Sequence, residues 1–519
     1  MGSRFIVRLV KFVFCLSTAC FFVIQLHLHF RDSGGIGDGS AQSGVGIPFP
    51  GGADPPPDEQ ALALLRAFVE EERERMGQQL KHGEGLEANL LSASEGAGGA
   101  KREPLAQPEP NPLLGGSAGL TNGTLRANGW SDHSELFGHH QLEAPPSVPA
   151  ISVQEIRRSL MQHNARAQIL NEDRFGRVTV ENAQEQIAAV IVVQVHFRPN
   201  YLEKLIDSFR NARGIEKVLL IFSHDFYSVE INRLIKSIDF CRVLQIFYPY
   251  SIQLFPDIFP GQDPADCPDK ISKEKAQEVK CQNWEHPDKY GHYRIAKITQ
   301  IKHHWWWKTN HVFDGIPQLK NHSGWFLFLE EDHYVSPDFL HVLSYMTNNK
   351  ASLCAECSVI SLGFYLKSYG AYAASISKLA VYPWFSSRHN MGMAIDRNLW
   401  IQIKACAKNF CEFDDYNWDW SLMHINLKCM KPRPMTVIYA KAPRVFHIGD
   451  CGLHHTGKQC TADTSATKVL EVLAGVRDRL FPDQLEVSER SRRTLKAPKE
   501  NGGWGDIRDH SLCLNNTLP

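Results

Sequence analysis

Between residues 183 and 330 the chain alternates near-continuous runs of Val, Ile and Leu with amphipathic stretches, a pattern that few folds accommodate. Ile187 to His196 (IAAVIVVQVH), Lys217 to Asp225 (KVLLIFSHD), Val243 to Tyr248 and Trp325 to Glu330 (WFLFLE) read as strands buried on both faces, because apolar residues fill successive positions. Between them, Pro199 opens a helix with Leu202, Leu205, Ile206 and Phe209 on one face. Val229 to Ile238 and 293–310 read as two further helices. This alternation predicts an α/β fold, a mostly parallel sheet with helices on both faces. Ligands of such sheets bind beyond the carboxyl ends of the strands, so the chemistry is expected there.

Those ends are polar. The first strand delivers Gln194, His196 and Arg198, the second His224 and Asp225, and the fourth Glu330, Glu331, Asp332 and His333. Three successive acids repel one another unless a cation is shared. A divalent ion of that kind would offset the charge of a diphosphate nucleotide. A solvated acidic turn is the competing reading. Gln300 to Trp307 (QIKHHWWW) places Lys and His beside aromatics, suited to phosphate and a flat ring. Taken alone, however, a buried helix face with a basic rim explains it better. Asp414 to Trp420 (DDYNWDW) interleaves carboxylates with indoles, which suits carbohydrate: rings pack on C–H surfaces while a carboxylate handles hydroxyls. Helix capping by Asp415 or Asn417 competes. His447 offers an imidazole that completes a metal site or serves structure alone.

The remainder of the chain sets the context. With 56 basic and 57 acidic residues, no bulk charge draws the protein to nucleic acid or to an acidic membrane surface. Arg4, Arg8 and Lys11 precede an apolar run over 12–30, about the length that crosses a hydrocarbon core. This predicts a cytosolic tail over 1–11, a signal anchor, and a luminal remainder. A cleaved signal peptide ending near Ala19-Cys20 is the alternative. Residues 31–150, rich in Gly, Pro and Ser, read as a flexible stem, since they cannot bury enough apolar surface to offset their ordering entropy. Within it, 58–80 has one apolar helical face and reads as a transient helix, with self-association into a homodimer as the competing reading. A transition over 151–182 leads to the globular unit, 183–519.

Eleven of the 13 cysteines follow residue 240, as disulfides in an oxidising lumen require. An odd number leaves at least one free thiol, for which Cys241 is the candidate. Zinc at Cys354 and Cys357 competes but lacks a convincing second pair. Asn122, Asn321 and Asn515 lie in glycosylation sequons.

Several blocks together carry a resemblance. VVQVHFRPNYL at 192–202, IFSHDF at 221–226, GHYRIAKITQIKHHWWWK at 291–308, FLEEDHY at 328–334, HNMG at 389–392, DDYNWDW at 414–420, FHIGDCGLHH and the terminal GGWGDIRDH resemble the N-acetylglucosaminyltransferase II family. The likeness covers about 183–513. It implies a GT-A type Rossmann-like glycosyltransferase fold, a Golgi membrane location, a UDP-N-acetylglucosamine donor, an N-glycan mannose acceptor and a Mn2+ ion. Carried over by position, Gln194, Val195, His196, Phe197, Arg198, Asp225, Gln300, Ile301, Lys302, His303 and His304 line the donor site. Phe197 and Ile301 stand where the family more usually has polar residues. Asp332 and His447 hold the metal, with Glu330 and Glu331 beside them. Asp419 is the catalytic base, and Tyr416, Trp418 and Asn390 lie on the acceptor side. The same likeness implies disulfides Cys267–Cys281, Cys354–Cys357, Cys406–Cys429, Cys411–Cys513 and Cys451–Cys460.

Rivals remain at this point: a relative acting on another mannose arm, a lectin-like binder, and a glycosidase using paired carboxylates.

Overall fold

The computed structural model describes Arg66 and residues 152–366, 368–449 and 462–517. The anchor, nearly all of the stem with its 58–80 helix and Asn122, and the Cys451–Cys460 pairing lie outside the described residues. Among the described residues, no helix is long and apolar enough to cross a membrane.

Twelve strands are present among the described residues: β1 (Ile169–Leu170), β2 (Ala189–Val195), β3 (Val218–His224), β4 (Arg242–Phe247), β5 (Phe326–Glu330), β6 (His333–Val335), β7 (Val359–Ser361), β8 (Lys378–Pro383), β9 (Met393–Ile395), β10 (Thr436–Ala440), β11 (Val445–His447) and β12 (Glu486–Arg490). Ten form one sheet in the order β1-β4-β3-β2-β5-β9-β7-β10-β8-β12, and β11 pairs with β6 in a separate ribbon. The four strands expected from the sequence are β2 to β5, and they are parallel. Beyond β5 the sheet is mixed rather than mostly parallel, because three-residue β9 runs antiparallel between β5 and β7. Strands that short leave no periodic signal in a sequence.

Alternation along the strands explains the two-sided core. Val190 and Val192 of β2, with Phe326 and Phe328 of β5, enter one apolar layer. Ile191, Val193 and Val195, with Leu327 and Leu329, enter the other. Period-two side chains that are apolar at every position can be buried only when both sheet faces are covered. The cover on the second face includes α2 (Pro199–Arg210), where Pro199 sits at the first helical turn and spends no useful N–H. The first face carries α3 (Ala296–Asn310), whose Trp305, Trp306 and Trp307 form much of that core.

Within the transition stretch, residues 152–182 contribute packed structure. Helix α1 (Val153–Arg166) begins with a capping box between Ser152 and Glu155 and buries Ile156 and Leu160 against Phe247. β1 pairs with β4 at the sheet edge. The order in which strands are added reverses at β2, since β3 and β4 lie to one side of it and β5 to the other. That is where a parallel sheet opens a crevice for ligands. Among the described residues four disulfides close: Cys267–Cys281, Cys354–Cys357, Cys406–Cys429 and Cys411–Cys513. Cys241 is a buried free thiol.

Candidate active site

At the switch point, Gln194 of β2 stands in register between Ser223 of β3 and Glu330 of β5. The next turn is pinned by Glu331, whose Oε2 accepts from the backbone N–H groups of His196 at 3.1 Å and Arg198 at 3.3 Å. Burial pushes the Glu331 carboxyl up to about 7.

Asp225, just past β3, is buried, and each of its oxygens meets a side chain. Its Oδ1 lies 2.6 Å from His196 Nδ1, and its Oδ2 accepts from Gln300 Nε2 at 3.1 Å, with His304 Nδ1 at 3.3 Å. Burial alone would raise this carboxyl, but the neighbouring imidazoles hold it well below the usual carboxylate range. The Asp225 charge in turn pushes His196 up to about 9, against the opposing effect of burial. Gln300 and His304, one helical turn apart on α3, therefore reach Asp225 together. Lys308, a turn further on, donates to Gln194 Oε1 at 2.6 Å. The ammonium is buried, which lowers its proton affinity, while Glu330 and Asp225 oppose that. Sequence reasoning missed Lys308; its signal was the four-residue spacing from His304.

On the other side of the crevice, Asp332 Oδ2 accepts from Arg198 Nη1 at 2.6 Å and lies 3.3 Å from His447 Nε2. Its Oδ1 is buried without a hydrogen-bond partner. At Gly449 any Cβ would come within 2.1 Å of Asp332 Oδ2, so glycine keeps that oxygen clear. Burial raises the Asp332 carboxyl, yet His447, His333 and Arg198 hold it below the usual range. Glu330, Asp332 and His333 offer donor atoms within 4.8 Å of one another. An orphaned carboxylate oxygen among O and N donors fits a divalent cation. His333 is the weakest member of that set. Burial pushes it down to about 4, and its Nδ1 accepts from the Glu330 N–H at 3.1 Å. The proton of this neutral ring then sits on Nε2, which leaves no free lone pair. His447, brought alongside by the β11–β6 pairing opposite His333, is the better imidazole.

Asp419 lies in the first turn of α4 (Trp418–Lys428). Its Oδ2 accepts from Asn390 Nδ2 at 3.0 Å and its Oδ1 from the Trp420 N–H at 2.9 Å. Burial pushes the carboxyl up to about 6, with the charge of Asp415 adding and those two donors opposing. Tyr365 joins the two halves. Its ring is 5.4 Å from that of His447, and its hydroxyl is raised by burial and by the charges of Glu330, Asp332 and Asp419. Tyr365 carried no sequence signal, because it belongs to an irregular loop.

Residues 157–513 match the sequence model of N-acetylglucosaminyltransferase II. The chain belongs to the N-acetylglucosaminyltransferase II family. The alpha-1,6-mannosyl-glycoprotein 2-beta-N-acetylglucosaminyltransferase of Rattus norvegicus is 46% identical over 372 residues, 71% of this chain and 84% of its own. That of Homo sapiens is 45% identical over 374 residues, 72% of this chain and 83% of its own. Among solved structures, glucosyl-3-phosphoglycerate synthase from Mycobacterium tuberculosis aligns with 57% of this chain and 82% of its own at 10% identity and a TM-score of 0.25, too distant to bear on the site.

Not every residue implied by the N-acetylglucosaminyltransferase II likeness reaches the crevice. Lys302 is completely buried, and its ammonium donates to the carbonyls of Phe413 and Asp415. His303 Nε2 pairs with Asp509 at 2.9 Å, beneath Trp504. Both project from faces of α3 other than the one bearing Gln300 and His304. Trp418 stacks on Trp305 at 4.5 Å and 5°, a core contact rather than an acceptor platform. Val195 is buried and Ile301 packs against the tryptophan-rich core. Phe197 is 51% exposed beside Phe226, with ring centroids 4.9 Å apart. Tyr416 is half-buried against Gly503. Asn417 occupies the helix N-cap position but makes no side-chain cap.

Proposed function

We propose that this chain transfers N-acetylglucosamine from UDP-N-acetylglucosamine in β-1,2 linkage to the α-1,6-arm mannose of N-linked glycans, inverting the donor's anomeric centre. The observation that carries this reading is the Asp332–His447 pair, with Tyr365 beside His447 and within the electrostatic reach of both Asp332 and Asp419. A carboxyl pushed up to about 6 is matched to proton abstraction near neutrality. Asp419 would take the proton from the mannose 2-hydroxyl as that oxygen attacks the anomeric carbon from the face opposite UDP. Asn390 would hold the carboxylate in line for that transfer. Asp225, with Gln300 and His304 fixing it, would receive donors on the nucleotide, while Arg198 would turn its guanidinium to the diphosphate. Asp332 and His447 would hold a divalent cation, Mn2+ by family likeness, which when bound offsets the charge of the departing diphosphate.

The arrangement is read as a GT-A fold. The sequence of the first 30 residues, together with four disulfides, favours a type II anchor with the catalytic part in the Golgi lumen.

The test is incubation of the full chain with labelled UDP-N-acetylglucosamine, Mn2+ and a defined panel of mannose-terminated N-glycans. The expected product carries a new β-1,2 residue on the α-1,6 arm. Transfer to the other arm would reassign the acceptor. Release of free sugar without any need for UDP would make the chain a glycosidase.

A further inference from the structure

Lys302 lies on α3 with no exposed surface. Its ammonium donates to the carbonyl oxygens of Phe413 at 3.1 Å and Asp415 at 2.9 Å. The rings of Trp504 and Phe410 stand 4.2 and 5.1 Å from the same nitrogen. A buried lysine is tolerated only with such partners, which here form a cage of two carbonyls and two aromatic faces.

What the cage grips is the lead-in to α4, and Asp419 sits in the first turn of that helix. The same loop is also held by the C-terminal segment that contributes Trp504. Asp415 Oδ2 accepts from Asn501 N at 2.8 Å and Nδ2 at 2.9 Å, while its Oδ1 accepts from Asn417 N at 2.9 Å. Asp414 Oδ1 accepts from Trp504 N at 3.0 Å. Backbone bonds join Gly502 N to Asp414 O at 3.1 Å and Tyr416 N to Gly502 O at 3.3 Å. Helix α3 thus supports Asp225 and Gln194 through Gln300, His304 and Lys308 on one face and anchors the approach to Asp419 with another.

We propose that Lys302 is a positioning residue for the Asp419 carboxylate, fixing the 413–417 loop against the 501–504 segment and so setting where that carboxylate meets the acceptor hydroxyl. The proposal rests on the reading of Asp419 as the base. Removing the ammonium takes one donor from each of two buried carbonyls, leaving Phe413 O only the Asp415 N–H at 2.7 Å and Asp415 O only Ser421 Oγ at 3.3 Å, and so loosens the loop. A displacement of about 1 Å at a reacting group costs on the order of a hundredfold in rate.

The experiment is a double-mutant cycle on the full chain with Lys302→Met, Asp419→Asn and the two combined. In Lys302→Met, kcat should fall about 10- to 100-fold while UDP affinity by calorimetry and KM for the nucleotide sugar stay within about twofold. On top of Asp419→Asn, Lys302→Met should cause no further loss, because its effect passes through that carboxylate. An equal loss in both backgrounds, an unchanged kcat, or a parallel fall in UDP affinity would overturn the proposal. Should Lys302→Met not fold, exposed Asn501→Ala removes one tie to Asp415. It should give the same pattern at smaller size, and unchanged kcat there would overturn the proposal as well. Unaltered turnover in Asp419→Asn alone would instead sink the base assignment, which keeps the two failures distinct.

Discussion

Asn390 holds Asp419 by a single hydrogen bond, Nδ2 to Oδ2 at 3.0 Å, while its own Oδ1 is buried without a partner. A donor to a carboxylate favours the charged form, so this bond restrains the rise that burial imposes on Asp419. Replacing Asn390 with Leu removes the restraint. The acid limb of the kcat–pH profile, set by Asp419 at about 6, should therefore move to higher pH. A limb that stays put or moves to lower pH would disprove the coupling.

Asp419→Asn should lower kcat by about 10²–10⁴ while leaving UDP binding intact. Stability gives a second readout with a definite sign. Because the folded carboxyl titrates at about 6, above its ordinary value, its contribution is present at low pH and lost as pH rises through that value. The uncharged variant escapes this loss, and the unpartnered Asn390 Oδ1 can accept from the new amide after a flip. Its Tm at pH 8 should equal or exceed that of the parent, with the margin shrinking toward pH 4. A margin that widens on acidification would contradict the assignment.

Asp332→Ala should abolish Mn2+-dependent UDP binding measured by calorimetry, since it removes the orphaned oxygen that fits a cation. His447→Gln should weaken Mn2+ binding, whereas His333→Gln should leave it nearly unchanged, because both nitrogens of that neutral ring are committed. Equal losses in the two histidine variants would overturn the choice of ligand.

The Cys411–Cys513 bridge spans a separation of 102 residues and ties the segment ahead of the base loop to α5 (Ile507–Asn515). Cys354–Cys357 spans a separation of three. Chain entropy favours the longer closure, so replacing Cys411 and Cys513 by Ser should cost about 2–5 kcal/mol in chemical denaturation. The same change at Cys354 and Cys357 should cost less. The reverse order would show that native contacts rather than loop length dominate.

Trp418→Ala should act on stability. Loss of the stack on Trp305 should destabilise by roughly 3–5 kcal/mol. With the protein kept folded at low temperature, KM for the glycan should change little. A large rise in that KM without loss of stability would return Trp418 to the acceptor site.

Much of the core was legible because its signal is local. Val190, Val192, Phe326 and Phe328 declare buried strands by apolar residues at every position, and Glu330 to Asp332 declare a strand end that repels itself without a cation. The motifs around Gln194, Asp225, Asp332 and Asp419 then named a family. Tertiary structure alone decided which face of α3 lies against Asp225. Gln300, Lys302, His303 and His304 all read as polar residues beside aromatics, yet only the spacing of Gln300 and His304 turns them to Asp225, while Lys302 and His303 face Asp415 and Asp509. It also carried Trp418 into the core, and Asp332, His447 and Tyr365 to one place from distant segments. Sequence periodicity encodes whether a residue is buried within its own element. It does not encode which remote chain segment covers that element, because packing selects among faces of similar chemistry.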